Sequence, residues 1–162
     1  MKKAPLLISV FAFTVACTSI ECPLHHTVSS HYVLLKSDQA ADTLKDTLSI
    51  SIVRQYSVRP DTLLLNKAIG VTKFELPVSH TNAEDTLYFK FSNLSYAATD
   101  TVWLKKENIP HFESVDCSAS FLHILTAVNS THHAIDSIKI NNPSVDYDPQ
   151  TVHFHLYLKS RR

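Results

Sequence analysis

The sequence contains a single glycine, Gly70, among its 162 residues. A glycine-rich phosphate loop, a dinucleotide-binding fingerprint and a nucleophile elbow all need several glycines at fixed positions, so none of them is present. Tight hairpins that depend on glycine at positive φ should also be rare, and we expect connections built from Asn, Asp and Pro. The scarcity of glycine therefore excludes several classes of nucleotide-binding protein and hydrolase.

An excess of either charge is also lacking, since 15 Lys and Arg residues balance 15 Asp and Glu residues. No basic stripe is present that would attract a phosphate backbone. We therefore expect no nucleic-acid partner.

The first sixteen residues have the order of an export signal. Two lysines precede an apolar run over residues 6–15, and small or medium residues come directly before Cys17. A cysteine at this place is typical of a bacterial lipobox, in which the thiol is acylated and holds the protein on a membrane. The apolar run is shorter than the roughly 18 residues that a transmembrane helix needs.

We predict a lipoprotein signal peptide over residues 1–16 and a single domain over residues 17–162, tethered by the lipid on Cys17. The expected location is the cell envelope, at the outer membrane, facing either the periplasm or the exterior. Thr14 stands where a lipobox usually carries leucine, and it also suits an ordinary signal peptidase. Release as a soluble secreted protein is therefore an alternative.

Three cysteines occur in the chain, and acylation of Cys17 would leave Cys22 and Cys117 as a pair. Unpaired thiols are not expected to persist in an oxidising compartment outside the cytoplasm. We predict a Cys22–Cys117 disulfide, for which the chain-entropy model allows at most roughly 4–5 kcal/mol of stabilisation. Two buried free thiols, or a mixed disulfide with an unacylated Cys17, are the alternatives.

Apolar and polar residues alternate with a period of two through most of the chain, most clearly over residues 47–52, 86–91 and 151–159. This pattern is typical of strands with one buried and one exposed face. Turn-forming residues, among them Asn108–Pro110, separate the strands. Further strands are predicted at residues 32–36, 62–65, 71–76, 101–105, 112–116, 121–128 and 135–140, and residues 120–128 could also be helical. We predict an all-β fold, an antiparallel β-sandwich of immunoglobulin-like kind.

Six tripeptides read Asp, then Thr or Ser, then an aliphatic residue. In the architectural interpretation, Asp bonds the backbone of its own turn, the hydroxyl residue favours a strand and the aliphatic residue begins the buried face. The tripeptide also resembles an acceptor motif for O-glycosylation of exported proteins in one phylum of Gram-negative gut bacteria. We hypothesise glycans on some of the hydroxyl residues, which are Thr43, Thr47, Thr62, Thr86, Thr101 and Ser137.

Ten histidines raise the question of a metal. His153 and His155 would point to one face of a strand and could share an ion with a third ligand. No set of four ligands at a known spacing appears, so an exposed sheet face is the simpler interpretation and we expect no cofactor. Serine and histidine are abundant but show no arrangement that marks a catalytic triad, and we expect no enzyme.

Four segments resemble a family of small lipoproteins of the Gram-negative, Bacteroides-type cell envelope that is known as a domain of unknown function. The segments are Cys22–Leu24, His111–Ser118, Ile138–Pro143 and His153–Lys159. The resemblance implies an anchored β-rich domain without an assigned activity, and it carries no functional residues over to this chain.

These observations lead to two expectations of function. The first is a non-enzymatic accessory or binding module that contacts an envelope protein or a glycan, for which exposed aromatic residues such as Tyr88, Trp103 and Tyr157 would serve as anchors. A place in the core is the alternative for Trp103. The alternative is a metal- or small-ligand-binding lipoprotein that uses the face of His153 and His155. Membrane contact through the Cys17 lipid is common to both.

Overall fold

The computed structural model describes residues 28–53, 62–112, 114 and 116–160. These residues form ten strands and no helix, which confirms the all-β prediction. The strands are β1 (Ser29–Leu35), β2 (Thr47–Ile52), β3 (Thr62–Ala68), β4 (Lys73–Pro77), β5 (Glu84–Ser92), β6 (Ala97–His111), β7 (Ser120–Ser130), β8 (Ile135–Ile140), β9 (Ser144–Val145) and β10 (Phe154–Leu158). In the same ranges, no helix has the length and apolar character needed to cross a membrane.

The strands form two sheets in a sandwich-like arrangement. One sheet has four strands in the order β4-β1-β10-β8, and the other has six in the order β3-β2-β5-β6-β7-β9. All the strand pairs are antiparallel except β1 and β10, which are parallel, with Tyr32 opposite Phe154. The antiparallel prediction is thus correct for every pair but this one.

Aromatic side chains from both sheets meet in the core. The Tyr32 ring of β1 stacks on the Phe154 ring of β10 and on the Phe74 ring of β4, with ring centroids 4.6 and 4.7 Å apart. The same ring meets Phe89 of the six-stranded sheet edge-on, at 6.2 Å. Aromatic pairs of this kind contribute about 0.5–1.5 kcal/mol each beyond the area that they bury. Tyr32 therefore joins the two sheets as well as its own neighbours.

Strand β6 is longer than predicted, because the predicted turn at Asn108–Pro110 lies within it. The Lys106 N–H donates to Ala83 O on the side of β5, and by alternation the missing N–H of Pro110 would point to that same side. Strand β5 begins at Glu84, so this side is open beside Pro110. A proline is tolerated where no neighbouring strand needs its hydrogen bond.

Other boundaries also differ from the sequence prediction. The described residues of the predicted strand 112–116 lie in the connection between β6 and β7, and the strand predicted from Val71 begins at Lys73. Residues 120–128, which could have been helical, lie in β7 and pair with β6. Pairing with β6 decided the outcome for residues 120–128, whose local pattern fits either a helix or a strand.

Connections use Asn and Asp as expected. A side-chain oxygen accepts the backbone N–H two residues further on at Asp38, Asn93, Asn142, Asp146 and Asp148. Gly70 adopts a φ of +64°, but Gln39, Lys67 and His132 also occupy the left-handed region. Two turns that glycine would favour are therefore made with Gln39 and His132, whereas Lys67 takes this conformation within β3, where the register against β2 shifts.

Candidate functional site

Two aromatic side chains lie on the outer face of the six-stranded sheet, the face that is turned away from the four-stranded sheet. On β5 and β6 the core side is occupied by buried residues such as Leu87 and Val102, and the alternating residues Tyr88 and Trp103 are half-buried on the other side. Tyr88 lies opposite Thr101, and Trp103 lies opposite Thr86. The two rings are therefore diagonal neighbours, at a separation that aromatic side chains can bridge.

Hydroxyl groups surround these rings. Thr86 and Thr101 complete a two-by-two arrangement with the rings, and Ser51 of β2 lies opposite Tyr88 on the other side. We define Ser51, Thr86, Tyr88, Thr101 and Trp103 as the aromatic patch. Ring faces pack against apolar C–H groups, and hydroxyls exchange hydrogen bonds with a polar ligand, so the aromatic patch combines the two kinds of contact that a saccharide offers.

Tyr157, which we had grouped with these aromatic residues, lies in the other sheet. Its ring is buried, and its hydroxyl donates to Gln39 Oε1 at 3.0 Å. The expectation that Tyr157 belongs to an exposed aromatic group is therefore wrong. Alternation alone placed it on the exposed side of β10, and the loop that contains Gln39 covers it.

His153 is also buried, contrary to the expectation of an exposed face, with 0% of its surface exposed directly before β10. Its Nδ1 accepts the His31 N–H at 3.0 Å, so Nε2 carries the proton and donates to Ser144 O at 3.0 Å. Burial lowers the pKa of His153, which keeps the ring neutral. Both ring nitrogens are thus bonded within the protein, whereas His155 is half-buried on β10. In the described ranges, no group of three or more His, Cys, Asp or Glu residues is placed to hold a metal ion.

A groove of about 240 Å³ lies at the end of the sandwich where β1 begins, and His31, Glu75, Asp146 and Asp148 are among its lining residues. His31 Nδ1 donates to Thr151 O at 2.9 Å, and its Nε2 lies 3.2 Å from Glu75 Oε2. The oxygens of Asp146 and Asp148 accept hydrogen bonds from their own loop. The hydrogen bonds from the Thr151 hydroxyl and the Gln150 N–H lower the pKa of the Asp148 carboxyl. These carboxylates hold the loop in shape.

A buried polar cluster is formed by side chains of β5, β6 and β7. Lys106 Nζ donates to Asp85 Oδ2 at 2.8 Å and to Asn82 O at 2.9 Å, and both ends of the ion pair are buried. Burial raises the pKa of Asp85 although the positive charge of Lys106 lies beside it. Asp85 Oδ1 is the one buried side-chain nitrogen or oxygen in the described residues without a hydrogen-bond partner.

The cluster continues to His123 through Asn108. The Asn108 side-chain N–H groups donate to the carbonyls of His80 and Asn82, so its Oδ1 faces His123 Nδ1 at 2.8 Å and accepts a hydrogen bond from the Nδ1–H group. Burial, assisted by the positive charge of Lys106 and by His80, lowers the pKa of His123 to about 4. This cluster could not be predicted from the sequence, because its members are dispersed over three strands and the connection before β5.

The six tripeptides are partly explained by the sandwich. In three of them the Asp is buried on the same side of the strand as the aliphatic residue, while the hydroxyl residue lies on the other side; these are Asp46, Asp85 and Asp100. Asp100 accepts from the Thr131 hydroxyl and from the N–H groups of His133, Ala134 and Ile135. Asp46, which accepts from the Asn93 side chain, and Asp100 therefore bond connections elsewhere in the chain, whereas Asp85 accepts from Ser79 in the connection before its own strand and from Lys106.

The hydroxyl residues of the tripeptides differ in exposure. Thr43 is exposed, and Thr47, Thr62, Thr86, Thr101 and Ser137 are half-buried. Thr47 Oγ1 also donates to Ser92 O at 2.8 Å. Glycosylation of these residues stays a prediction.

Residues 1–27 lie outside the described ranges, and with them the signal peptide, Cys17 and Cys22. Cys117 is buried in the connection between β6 and β7. The lipid anchor and the Cys22–Cys117 disulfide both stay predictions.

Comparison with known proteins identifies a family without assigning a function. Neither the curated proteins nor the solved structures contain a match to this chain. One family model, described as a family of unknown function (DUF6452), matches residues 49–158, which extend from β2 to the last residue of β10. The match covers more than half of the chain and includes every residue of the aromatic patch, and the protein therefore belongs to the DUF6452 family.

Proposed function

We propose that this protein is a non-enzymatic binding module of the cell envelope, held at the outer membrane by a lipid on Cys17, and that its aromatic patch binds a glycan. One observation carries the proposal: Tyr88 and Trp103 are diagonal neighbours on an outer sheet face, with the hydroxyls of Ser51, Thr86 and Thr101 beside them.

The composition of the aromatic patch favours a glycan over an envelope protein. Cores of protein interfaces are enriched in apolar and aromatic residues, Met and Arg. The patch instead has three hydroxyl residues around two rings, and the exposed amine of Lys90 lies next to Tyr88 along the same face of β5. Hydroxyls and an amine can satisfy the many hydroxyls of a sugar, while the rings cover its C–H faces.

Trp103 is the only tryptophan of the chain, so its fluorescence reports directly on the aromatic patch. We expect soluble oligosaccharides released from Gram-negative envelope polysaccharides to shift the Trp103 emission in a saturable way. Tyr88→Ala should weaken this binding by about 1–1.5 kcal/mol, or roughly tenfold in Kd, because one ring contact is lost.

The matched control is Tyr147→Ala, which removes an exposed tyrosine from another part of the molecule and should leave Kd unchanged. A saturable shift that Tyr88→Ala does not alter would contradict the assignment of the site. If no oligosaccharide changes the emission, and cross-linking from the aromatic patch in native membranes captures an envelope protein, the partner is a protein and the glycan proposal is wrong.

The finer fold assignment is part of the proposal. An immunoglobulin-like sandwich is supported by the two facing sheets and by the aromatic contact between them. An experimental structure whose strand connections superpose on an immunoglobulin domain would support this assignment, and one with a different strand order would contradict it.

A further inference from the structure

Three large apolar side chains are exposed at one end of the sandwich. Ile109 is 42% exposed near the end of β6, Phe112 is 66% exposed directly after that strand, and Tyr147 is 43% exposed in the connection between β9 and β10. The ring of His111 joins them, since its centroid lies 6.5 Å from that of Tyr147. We define Ile109, Phe112 and Tyr147 as the apolar end.

The described part of the chain begins at this same end. Val28 and Ser29, the first described residues, line the same groove as Tyr147. Ten residues, 18–27, lie between Cys17 and Val28, and the eleven steps from one to the other span at most about 36–40 Å even in a fully extended chain. A lipid on Cys17 would therefore hold the apolar end near the bilayer.

The charges at this end select the kind of lipid surface. Glu75, Asp146 and Asp148 line the groove beside Tyr147, so an anionic surface would be repelled. A zwitterionic surface lacks this repulsion, and aromatic and aliphatic side chains gain free energy when they enter its interfacial layer.

We propose that the apolar end docks on the membrane, with Phe112, Ile109 and Tyr147 inserted into the interface of a zwitterionic lipid layer. This inference rests on the proposed lipid anchor. It gives the protein a fixed orientation: the strands stand on the bilayer at the end where β1 begins. The aromatic patch then lies on the side of the molecule, away from the lipid and open to a ligand.

The opposite end of the sandwich offers a matched control. Leu94 is fully exposed in the connection between β5 and β6. Strand β6 has 15 residues between that connection and Phe112, which corresponds to roughly 45 Å and exceeds the thickness of a bilayer core. Both Phe112 and Leu94 can accept a tryptophan without disturbing the core.

The experiment uses the acylated protein in vesicles of brominated phosphatidylcholine, in which bromine quenches nearby indoles. In a Trp103→Phe background, the tryptophan introduced by Phe112→Trp should lose most of its emission, and the one introduced by Leu94→Trp should lose little. Wild-type protein, whose Trp103 lies on the side of the sheet, provides a second unquenched reference. Flotation of the vesicles measures the anchor separately.

The outcomes separate the inference from its premise. Flotation with selective quenching of the Phe112→Trp variant supports docking of the apolar end. Flotation with equal quenching at both positions overturns the docking but leaves the anchor in place. If the acylated protein does not float with the vesicles, the anchor itself is wrong, and the inference is wrong with it.

Discussion

The buried His123 should make the protein less stable in acid. In the unfolded chain its imidazole takes up a proton near pH 6.5, but in the folded protein burial, together with Lys106 and His80, delays this to about pH 4. Between these values the unfolded state binds more protons than the folded state. The free energy of unfolding must therefore fall as the pH falls from about 7 towards 4, and the stability is fully present only above the unfolded pKa.

The size of the effect follows from the pKa difference. One pKa unit corresponds to about 1.4 kcal/mol, so a shift from 6.5 to about 4 corresponds to at most about 3 kcal/mol at pH 4. Burial lowers the pKa of His153 in the same direction. Asp85 acts in the opposite sense, because its raised pKa lets the folded state take up a proton first as the pH falls towards 4.

Urea unfolding followed by Trp103 fluorescence measures the prediction at a series of pH values from 7.5 to about 4.5, the range over which a histidine of depressed pKa acts. His123→Gln removes the titrating imidazole and keeps an N–H that can donate to Asn108. Over this pH range, the free energy of unfolding of the variant should therefore fall by about 2 kcal/mol less than that of wild type. The control is His132→Asn, which replaces an exposed histidine at positive φ with a residue that tolerates it. If wild type and His123→Gln lose stability equally, a buried neutral His123 is refuted.

Two further predictions concern buried carboxylates. Asp100→Ala should lower the free energy of unfolding by about 3 kcal/mol or more in urea titrations, because it leaves buried N–H groups without their acceptor; a loss below about 1 kcal/mol would contradict this. Lys106→Met should cost about 3–5 kcal/mol by the same measurement, since Asp85 is left buried without a partner, whereas adding Asp85→Leu should recover most of the loss. A double variant as unstable as Lys106→Met alone would show that the ion pair is not the cause.

Much of the fold could be predicted from the sequence where one side of a strand is core and the other is solvent. The pattern at Leu48, Ile50 and Phe89 fixes both the strand and the side that it buries, because a shift of one residue would turn every side chain over. The sequence-based predictions of a turn at Pro110 and of an exposed Tyr157 were wrong for a different reason. Whether a strand edge is open, or a loop covers an outer face, depends on residues that are distant in the sequence, such as Glu84 and Gln39.

The candidate sites were less predictable than the fold. Tyr88 and Trp103 could be suspected as exposed aromatic residues, but their placement as diagonal neighbours depends on the register of β5 and β6, which the sequence does not state. His153 has the alternation of an exposed residue, yet it is enclosed by β1 and β9, where the His31 N–H and Ser144 O bond its two ring nitrogens. Histidine tolerates both environments, and only its hydrogen-bond partners distinguish them.

The parallel pairing of β1 with β10 affects how the chain folds. Strand β1 is the first of the described strands and β10 is the last. The hydrogen bond from the His31 N–H to His153 Nδ1 joins residues that are 122 positions apart. Closing so long a loop is entropically costly and slow, so the four-stranded sheet stays incomplete until β10 has paired with β1. A product truncated before Phe154 would leave β1 with an unpaired edge, exposed to aggregation and to proteases. The four-stranded sheet is therefore completed only when the two most distant strands of the described chain have met.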